Sequence, residues 1–464
     1  MKNLLFVLFF LPLLAIGQGW TQIGSDIDGE AIDDRSGHSV AINTDGTIVA
    51  IGALSNDQNG VNSGHVRIYQ YILGVWTQLG QDIDGATASD GSGSSIALSD
   101  DGMILAIGSP YNSDNGVNAG HVRVFNYGSN SGQWTQIGQN LDGESAGDEF
   151  GRSVSLSGSG SFLAIGGPKN AGNGNASGHV RVFEYNGLWN QVGSDIDGEA
   201  ADDLSGYSVS LKDWESVLYV AISAKENDGS FLDAGHVRIY TLDNSIWYQV
   251  GNDIDGEASG DDFGRDISLN SDASIIAIGA SGNDDSGSNS GHARVYELIL
   301  GSWSQIGQDL DGEADNDYFG KSVSLNSAGN VLAVGGYMND ANNQTTPNKG
   351  HVMVFNNVGG SWYQVGTDID GEAANNYSGA SICLNSSGSR IVIGAPFNAD
   401  NGSASGQARI FENIIPTSFE DYYLPKDKIV GVFDILSRPA LIKKNKLLFY
   451  IFDDGSVVKK IILD

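Results

Sequence analysis

Closely spaced carboxylates are the residues of this chain whose types and spacing could do chemistry. The motif Asp-x-Asp-Gly-Glu places three acids within five residues, as at Asp26, Asp28 and Glu30. Hard cations such as calcium take roughly six to eight oxygen ligands from carboxylates and carbonyls, so Ca²⁺ is the candidate cofactor. Four copies of the motif supply the candidate metal ligands Asp26, Asp28, Glu30, Asp195, Asp197, Glu199, Asp253, Asp255, Glu257, Asp309, Asp311 and Glu313.

A solvated acidic surface is the competing interpretation of the same loops. Asp and Gly tolerate turn geometry, and Asp side chains cap neighbouring backbone amides. The chain has 57 acidic against 24 basic residues and a formal net charge of −33. This charge argues against nucleic acid and anionic membranes as partners. The sequence leaves both interpretations of the acidic loops open.

These loops belong to a repeat of about fifty-six residues that fills most of the chain. Within one copy, four short apolar segments alternate with Gly, Asn, Asp and Ser clusters, which is typical of strands and turns. In the third copy Phe162 to Gly166 is apolar at every position, which predicts a strand buried on both faces. Each copy opens with a Trp strand, beginning at Trp20, Trp76, Trp134, Trp189, Trp247, Trp303 and Trp362.

The repeat predicts an all-β fold, a seven-bladed β-propeller of four-stranded blades over residues 20–413. At Phe150-Gly151 and Gly166-Gly167-Pro168 the unit resembles the FG-GAP repeat of integrin alpha-subunit propellers. The correspondence recurs at Phe263-Gly264 with Gly279-Ala280, Phe319-Gly320 with Gly335-Gly336, and Gly394-Ala395-Pro396. The resemblance implies that Phe-Gly opens the innermost strand A, Gly-Ala-Pro ends strand B, Gly-His-Val-Arg opens strand C, and the Trp strand is the outer strand D.

The chain begins on a D strand, so its two ends are expected to meet. Trp20 to Gly24 is predicted to close the ring by pairing with Ala408 to Phe411, because a ring left open would expose two sheet edges. In such a meander the D-to-A and B-to-C loops share one face of the disc, and this face carries most of the acids.

The A-to-B hairpins, which hold calcium in integrin-like blades, carry few acids here. Asn43-Thr44-Asp45-Gly46 has one, and Ser99-Asp100-Asp101-Gly102 has two. The calcium site implied by the resemblance is therefore not carried over. Any metal is expected in the D-to-A loops instead.

One position of strand C is occupied by His in six copies, and Arg follows two residues later in most of them. Alternation along a strand puts these two side chains on the same face. Groups repeated around a ring favour a structural role over catalysis, with the Arg paired to a carboxylate of the Asp-x-Asp-Gly loop. The His residues are His65, His121, His179, His236, His292 and His351, with Gln407 in the seventh copy, and Met353 replaces the Arg of the sixth copy.

Both ends of the chain differ from the repeat. Residues 1–17 have the pattern of a secretory signal peptide. Residues 414–427 are expected to be a linker, followed at 428–464 by a small β domain. Asp434 to Arg438 and Asp453 to Lys460 resemble the C-terminal type A sorting domain of the type IX secretion system of Bacteroidetes. The resemblance implies export by that machinery as a partner; the alternative is an ordinary accessory domain.

These features favour a secreted or surface-displayed binding or adhesion module, with an extracellular glycan or protein ligand, over an enzyme. No segment approaches the twenty apolar residues of a membrane-spanning helix. The rival interpretation is a hydrolase or lyase acting on extracellular polysaccharide. An active site would require blades that break the repeat, and the clear deviations, Lys212 to Glu215 and Gln344 to Pro347, do not suggest catalysis. Cys383 is interpreted as a buried packing residue, and His38 as a solvent-exposed or packed one.

Overall fold

The computed structural model describes residues 19–340 and 346–413 in full, together with the backbone of three strands after residue 428. The chain divides into two compact units, one up to Asn413 and one from Ile414 onward. The predicted signal peptide, the predicted linker and Arg438 lie outside the described residues. In the part of the chain that is described, no helix is long and apolar enough to cross a bilayer.

The first unit is the predicted seven-bladed propeller, and each blade is an antiparallel meander of strands A to D. The A strands are Ser36–Ile42, Ser95–Leu98, Ser153–Leu156, Ser205–Trp214, Phe263–Leu269, Phe319–Leu325 and Ser381–Leu384. The B strands are Ile48–Ala53, Ile104–Ser109, Phe162–Gly167, Val217–Ala224, Ile275–Ala280, Val331–Gly336 and Arg390–Ala395. The C strands are His65–Ile72, His121–Gly128, His179–Tyr185, His236–Asp243, His292–Ile299, His351–Val358 and Gln407–Glu412.

The D strands are short and carry the Trp of each copy or a neighbour of it. They are Val75–Gln78, Gln133–Gln136, Trp189–Gln191, Ile246–Gln249, Ser302–Gln305, Ser361–Gln364 and, for the seventh blade, Thr21–Gln22. A further two-residue strand from the loop after D also pairs with strand C. These short strands are Ile83–Asp84, Leu141–Asp142, Ile196–Asp197, Ile254–Asp255, Leu310–Asp311, Ile369–Asp370 and Ile27–Asp28.

The N-terminal segment completes the seventh blade, which confirms the predicted ring closure. Thr21 pairs with Glu412 and Gln22 with Phe411. The amide of Ile23 donates to the carbonyl of Ile410 at 2.9 Å. Ile27 then pairs with Ala408. The outer edge of the last C strand is therefore covered by residues from the opposite end of the chain.

The B strands form the centre of each blade and are buried on both faces, as the continuous apolar runs predict. Leu163, Ala164 and Ile165 have no exposed surface. The outer Trp residues link neighbouring blades, because the nitrogen of a buried indole donates to a carbonyl beside the preceding D strand. Trp76 Nε1 donates to the carbonyl of Ile23 at 2.9 Å, and Trp134 Nε1 donates to that of Leu79 at 2.8 Å.

The second unit contains one antiparallel sheet of Ile429–Asp434, Leu447–Phe452 and Val457–Ile461 among its described residues. Leu447–Phe452 and Val457–Ile461 pair antiparallel. The segment that joins these two strands, which contains Asp453 to Gly455, lies outside the described residues.

Candidate functional site: a cationic pocket on the propeller axis

A cavity of about 470 Å³ opens on the axis, on the face that carries the D-to-A and B-to-C loops. A second axial cavity of about 420 Å³ lies toward the A-to-B hairpins. A ring of apolar strand A residues lines both cavities and separates them. The ring includes Val40, Ile96, Val154, Val209, Ile267 and Ile382.

The first cavity, named here the axial pocket, is lined by the residue that follows the strand A glycine in every blade. That glycine has a positive φ, +83° at Gly37 and +92° at Gly264. A Cβ at Gly37 would lie 2.2 Å from the carbonyl oxygen of Gln407, so a side chain there would prevent close packing of the blades. The seven residues that follow the glycines are His38, Ser94, Arg152, Tyr207, Arg265, Lys321 and Ala380.

Three of these residues are cations grouped around one phenol. Arg152 Nη2 donates to the hydroxyl of Tyr207 at 3.2 Å. The guanidinium carbons of Arg152 and Arg265 lie 5.2 Å and 5.1 Å from the centroid of the Tyr207 ring. Lys321 lines the pocket beside them, with Nζ 5.8 Å from the Tyr337 ring centroid. A chain with a net charge of −33 thus concentrates positive charge on its axis.

The pKa values of Tyr207 and Lys321 reflect this crowding. Burial by itself would raise the pKa of Tyr207, but the charges of Arg152, Arg265 and Lys321 outweigh it and lower the pKa to about 8. Burial and then the charge of Arg265 lower the pKa of Lys321 to about 8. Both groups therefore titrate near neutral pH, where an anion would stabilise the protonated lysine.

His38 and Asp266 complete the polar lining. Burial, followed by the charges of Arg152 and Lys321, lowers the pKa of His38 to about 3, so its imidazole is neutral at pH 7. Asp266 is the one carboxylate among the lining residues. It accepts hydrogen bonds from the Val323 amide at 2.8 Å and the Ser208 hydroxyl at 3.1 Å. Its oxygens hold blade to blade, and Arg265 pairs with Asp262 at 3.9 Å.

Aromatic rings line one side of the axial pocket. The Tyr337 and Tyr377 ring centroids are 5.8 Å apart, and those of Tyr377 and Phe397 are 4.9 Å apart. Phe397 is 38% exposed, although it is large and apolar. A wall of partly exposed rings beside guanidinium and ammonium groups suits a ligand that combines flat apolar surface with negative charge.

The twelve candidate metal ligands lie in the D-to-A loops, and the three acids of one motif contact different partners. The first Asp accepts from the Gln of the preceding Trp strand, as Asp195 does from Gln191 at 2.6 Å. The second Asp lies in the short strand that pairs with strand C, as Asp197 pairs with His179. The Glu reaches the Arg of the next blade, as Glu257 does Arg294 at 2.6 Å. Asp26, Asp28, Glu30, Glu199, Asp253, Asp255, Asp309, Asp311 and Glu313 occupy the corresponding positions.

Acids from two successive loops meet instead around the strand C histidine. Asp309 lies beside Arg294, which donates to both of its oxygens at 2.9 Å and 2.6 Å. The predicted pairing of the strand C Arg with the Asp-x-Asp-Gly loops is thereby confirmed. Five of the clusters among the described residues bring a Glu, a His and an Asp together, with ligand atoms within 4.8 Å of one another. They are Glu30 with His65 and Asp82, Glu144 with His179 and Asp195, Glu199 with His236 and Asp253, Glu257 with His292 and Asp309, and Glu313 with His351 and Asp368.

Another carboxylate of the D-to-A loops is structural. Asp148 is 2% exposed and accepts from the amide of Ser145 at 2.9 Å and from the side chain of Asn170 at 3.1 Å. The same Asp and Asn pair recurs in the other blades, and Asn376 replaces the Asp in the seventh. Part of the acidity of this face therefore fastens the D-to-A loop to the B-to-C loop.

Sequence reasoning missed the axial pocket, and it gave His38 no functional role. The signal was the position after the strand A glycine, which changes in type from copy to copy while its neighbours repeat. Arg152, Arg265 and Lys321 are 56 to 169 residues apart in the chain, so only closure of the ring brings them together.

Two stretches of the chain, residues 141–183 and 254–296, match the FG-GAP repeat. Each runs from the short strand before strand A to strand C, in blades 3 and 5. The chain therefore carries FG-GAP repeats on a seven-bladed β-propeller. No curated protein matches the chain at a significant level.

Proposed function

We propose that this chain is a secreted or surface-displayed binding module, and not an enzyme, whose axial pocket holds an anionic group of an extracellular glycan. The observation that carries the proposal is the grouping of Arg152, Arg265 and Lys321 around Tyr207 in one cavity. The proposal includes export through the C-terminal unit by the type IX secretion machinery, on the basis of the sequence resemblance of Asp434 to Arg438.

The chemistry of the lining favours a carboxylated or sulfated sugar over a simple anion. Guanidinium groups bind carboxylate and sulfate oxygens through paired hydrogen bonds. The rings of Tyr337, Tyr377 and Phe397 offer the flat surfaces on which sugar rings stack. A volume of about 470 Å³ falls within the roughly 300–1,000 Å³ of ordinary ligand pockets.

The acids of the D-to-A and B-to-C loops, named here the acidic rim, contribute selectivity. A polyanion approaching the outer loops meets carboxylates before it reaches the axis, so repulsion opposes binding along the chain of a densely charged polymer. A terminal acidic sugar, which projects from a glycan end, can enter the axial pocket without covering the rim. The expected ligand is therefore a glycan with a single charged end group.

Titration of a short neutral oligosaccharide that ends in one uronic acid into the purified protein tests this proposal. Lys321→Met is expected to weaken binding by about 1.5–3 kcal/mol, the usual contribution of a hydrogen bond to a charged group. Lys212→Met is the matched control, because Lys212 lines the second axial cavity on the opposite face. Equal affinity of the two variants, or no binding of any acidic glycan by the wild type, would refute the proposal.

A second candidate function, a polysaccharide lyase, is favoured by the pKa of Tyr207. A phenol with a pKa of about 8 can act as a general base near neutral pH. The phenolate would take a proton from the carbon that bears the carboxylate of a uronic acid. Arg265 and Lys321 would neutralise the charge of that carboxylate. Electrons of that C–H bond would then form the C=C bond, while the glycosidic oxygen leaves with the electrons of its C–O bond and takes the proton from Tyr207.

Ultraviolet absorbance of the unsaturated product distinguishes lyase from binding module. Turnover that is lost in Tyr207→Phe would establish the lyase. Binding without product, retained in Tyr207→Phe, supports the binding module.

A further inference from the structure

The sixth blade differs from the others in its Glu, His and Asp cluster. In four of the five clusters, the Arg two residues after the His contacts the acids. Arg294 Nη2 lies 2.6 Å from oxygens of both Glu257 and Asp309. Arg67 lies 3.4 Å from Glu30, Arg181 lies 3.7 Å from Glu144, and Arg238 bonds Glu199. In the fifth cluster, Met353 occupies the arginine position.

Met353 cannot replace the guanidinium. Its side chain is 5% exposed and packs with apolar residues of blades 5 and 6, including Phe355 and Trp362. The two carboxylates, Glu313 and Asp368, therefore meet without the positive charge that the other four blades supply. Lys349, a nearby cation, pairs with Asp370 at 3.7 Å.

His351 is held with one nitrogen toward the two acids. Its ring has no exposed surface, and neither ring nitrogen has a hydrogen-bond partner. Phe319 packs edge to face against the ring with centroids 5.9 Å apart, and Gly336 leaves room for Nε2. Nδ1 lies 3.8 Å from Oδ2 of Asp368, so this unpartnered nitrogen is aimed into the cluster.

We infer that Glu313, His351 and Asp368 form a binding site for one divalent zinc-class cation, which takes the place of the arginine found in the other blades. The donor set of one imidazole nitrogen and two carboxylates is one that Zn²⁺ accepts, with a water as fourth ligand. The donor atoms lie within 4.8 Å of one another. Coordination bonds of about 2.0–2.2 Å would draw them closer, and the exposed Glu313 side chain can make that movement.

The orientation of Asp368 supports the site. Its Oδ1 accepts from Gln364 at 2.6 Å, which leaves Oδ2 facing His351. Such a partner fixes a ligating carboxylate before the metal arrives.

The repeat supplies its own control variants for a zinc titration of the full chain. Met353→Arg restores the arginine of the other blades, and His351→Gln copies Gln407 of the seventh blade, which donates to Glu372 at 2.8 Å. Both variants are expected to bind Zn²⁺ at least about 10–100-fold more weakly than wild type, the loss caused by removing even an outer partner of a ligand. The wild type should bind one tight Zn²⁺ per chain.

The reverse change provides a gain of function. Arg294→Met removes the guanidinium between Glu257 and Asp309 and should create a second tight Zn²⁺ site beside His292. Calcium serves as the comparison ion, because the loop acids are the same in every variant, and it should not distinguish wild type from Met353→Arg. Equal zinc stoichiometry and affinity in wild type, Met353→Arg and His351→Gln would overturn the inference, as would the absence of a tight site in the wild type.

Discussion

Closure of the ring by the N-terminal segment makes a quantitative prediction about Ile27. Ile27 is 5% exposed and packs with Val392, Ala408 and Ile410 of the seventh blade. Ile27→Ala removes three buried carbon groups, or roughly 2.4 kcal/mol at about 0.8 kcal/mol for each group. The cavity left behind adds to this loss, so the free energy of unfolding should fall by about 2–5 kcal/mol.

Ile83 provides the matched control inside a blade. It occupies the equivalent short strand of the first blade and is 4% exposed. If the N-terminal segment is an integral part of the seventh blade, Ile27→Ala and Ile83→Ala should lose similar stability. Urea denaturation followed by tryptophan fluorescence measures both losses as shifts of the unfolding midpoint.

A loosely docked N-terminal segment would give a different result. Ile27→Ala would then cost less than about 0.5 kcal/mol, the range of a surface substitution, while Ile83→Ala kept its full effect. That outcome would refute the closure of the ring as the source of stability. It would also predict dimers that form through the uncovered edge of Gln407–Glu412.

Three further predictions concern the pocket, the loops and export. Affinity for an acidic glycan should fall as the pH rises through about 8, because Lys321 loses its positive charge and Tyr207 gains a negative one; titrations at pH 7 and 9 check this. Asp148→Ala should destabilise the fold by about 1–3 kcal/mol in a melting experiment, because buried amides lose their acceptor, and Asp148→Asn should cost less. Deleting residues 428–464 should leave the protein in the periplasm of a host with type IX secretion, which fractionation would detect.

The spacing of the acids in the loops does not determine which partners they contact. Asp253, Asp255 and Glu257 are close in sequence, and their spacing suggests that they bind one metal ion. In the fold, however, Asp253 contacts Arg238 of its own blade at 3.0 Å, while Glu257 contacts Arg294 of the next. Asp253 precedes and Glu257 follows the two-residue strand Ile254–Asp255, so the two acids reach different blades, and this separation cannot be read from a motif. Calcium binding by these loops stays a prediction.

The repeat by itself determined the fold of this protein. Apolar runs such as Phe162 to Gly166 require burial on both faces, and a unit that cannot bury its own faces must stack against its copies. The Trp strand at the start of the chain likewise determined how the ring closes. These features are local and recur in every copy, so the sequence alone is enough to recognise them.

Only the tertiary structure decided where the chemistry lies. Arg152, Tyr207, Arg265 and Lys321 come from four blades, and each is an unremarkable residue within its own copy. Their shared pocket arises because every A strand approaches one axis. The role of Met353 is likewise decided by the fold, because the residue replaces an arginine beside acids from the preceding and the following loop. Charge and proximity across blades are properties of the closed ring, and a single repeat does not contain them.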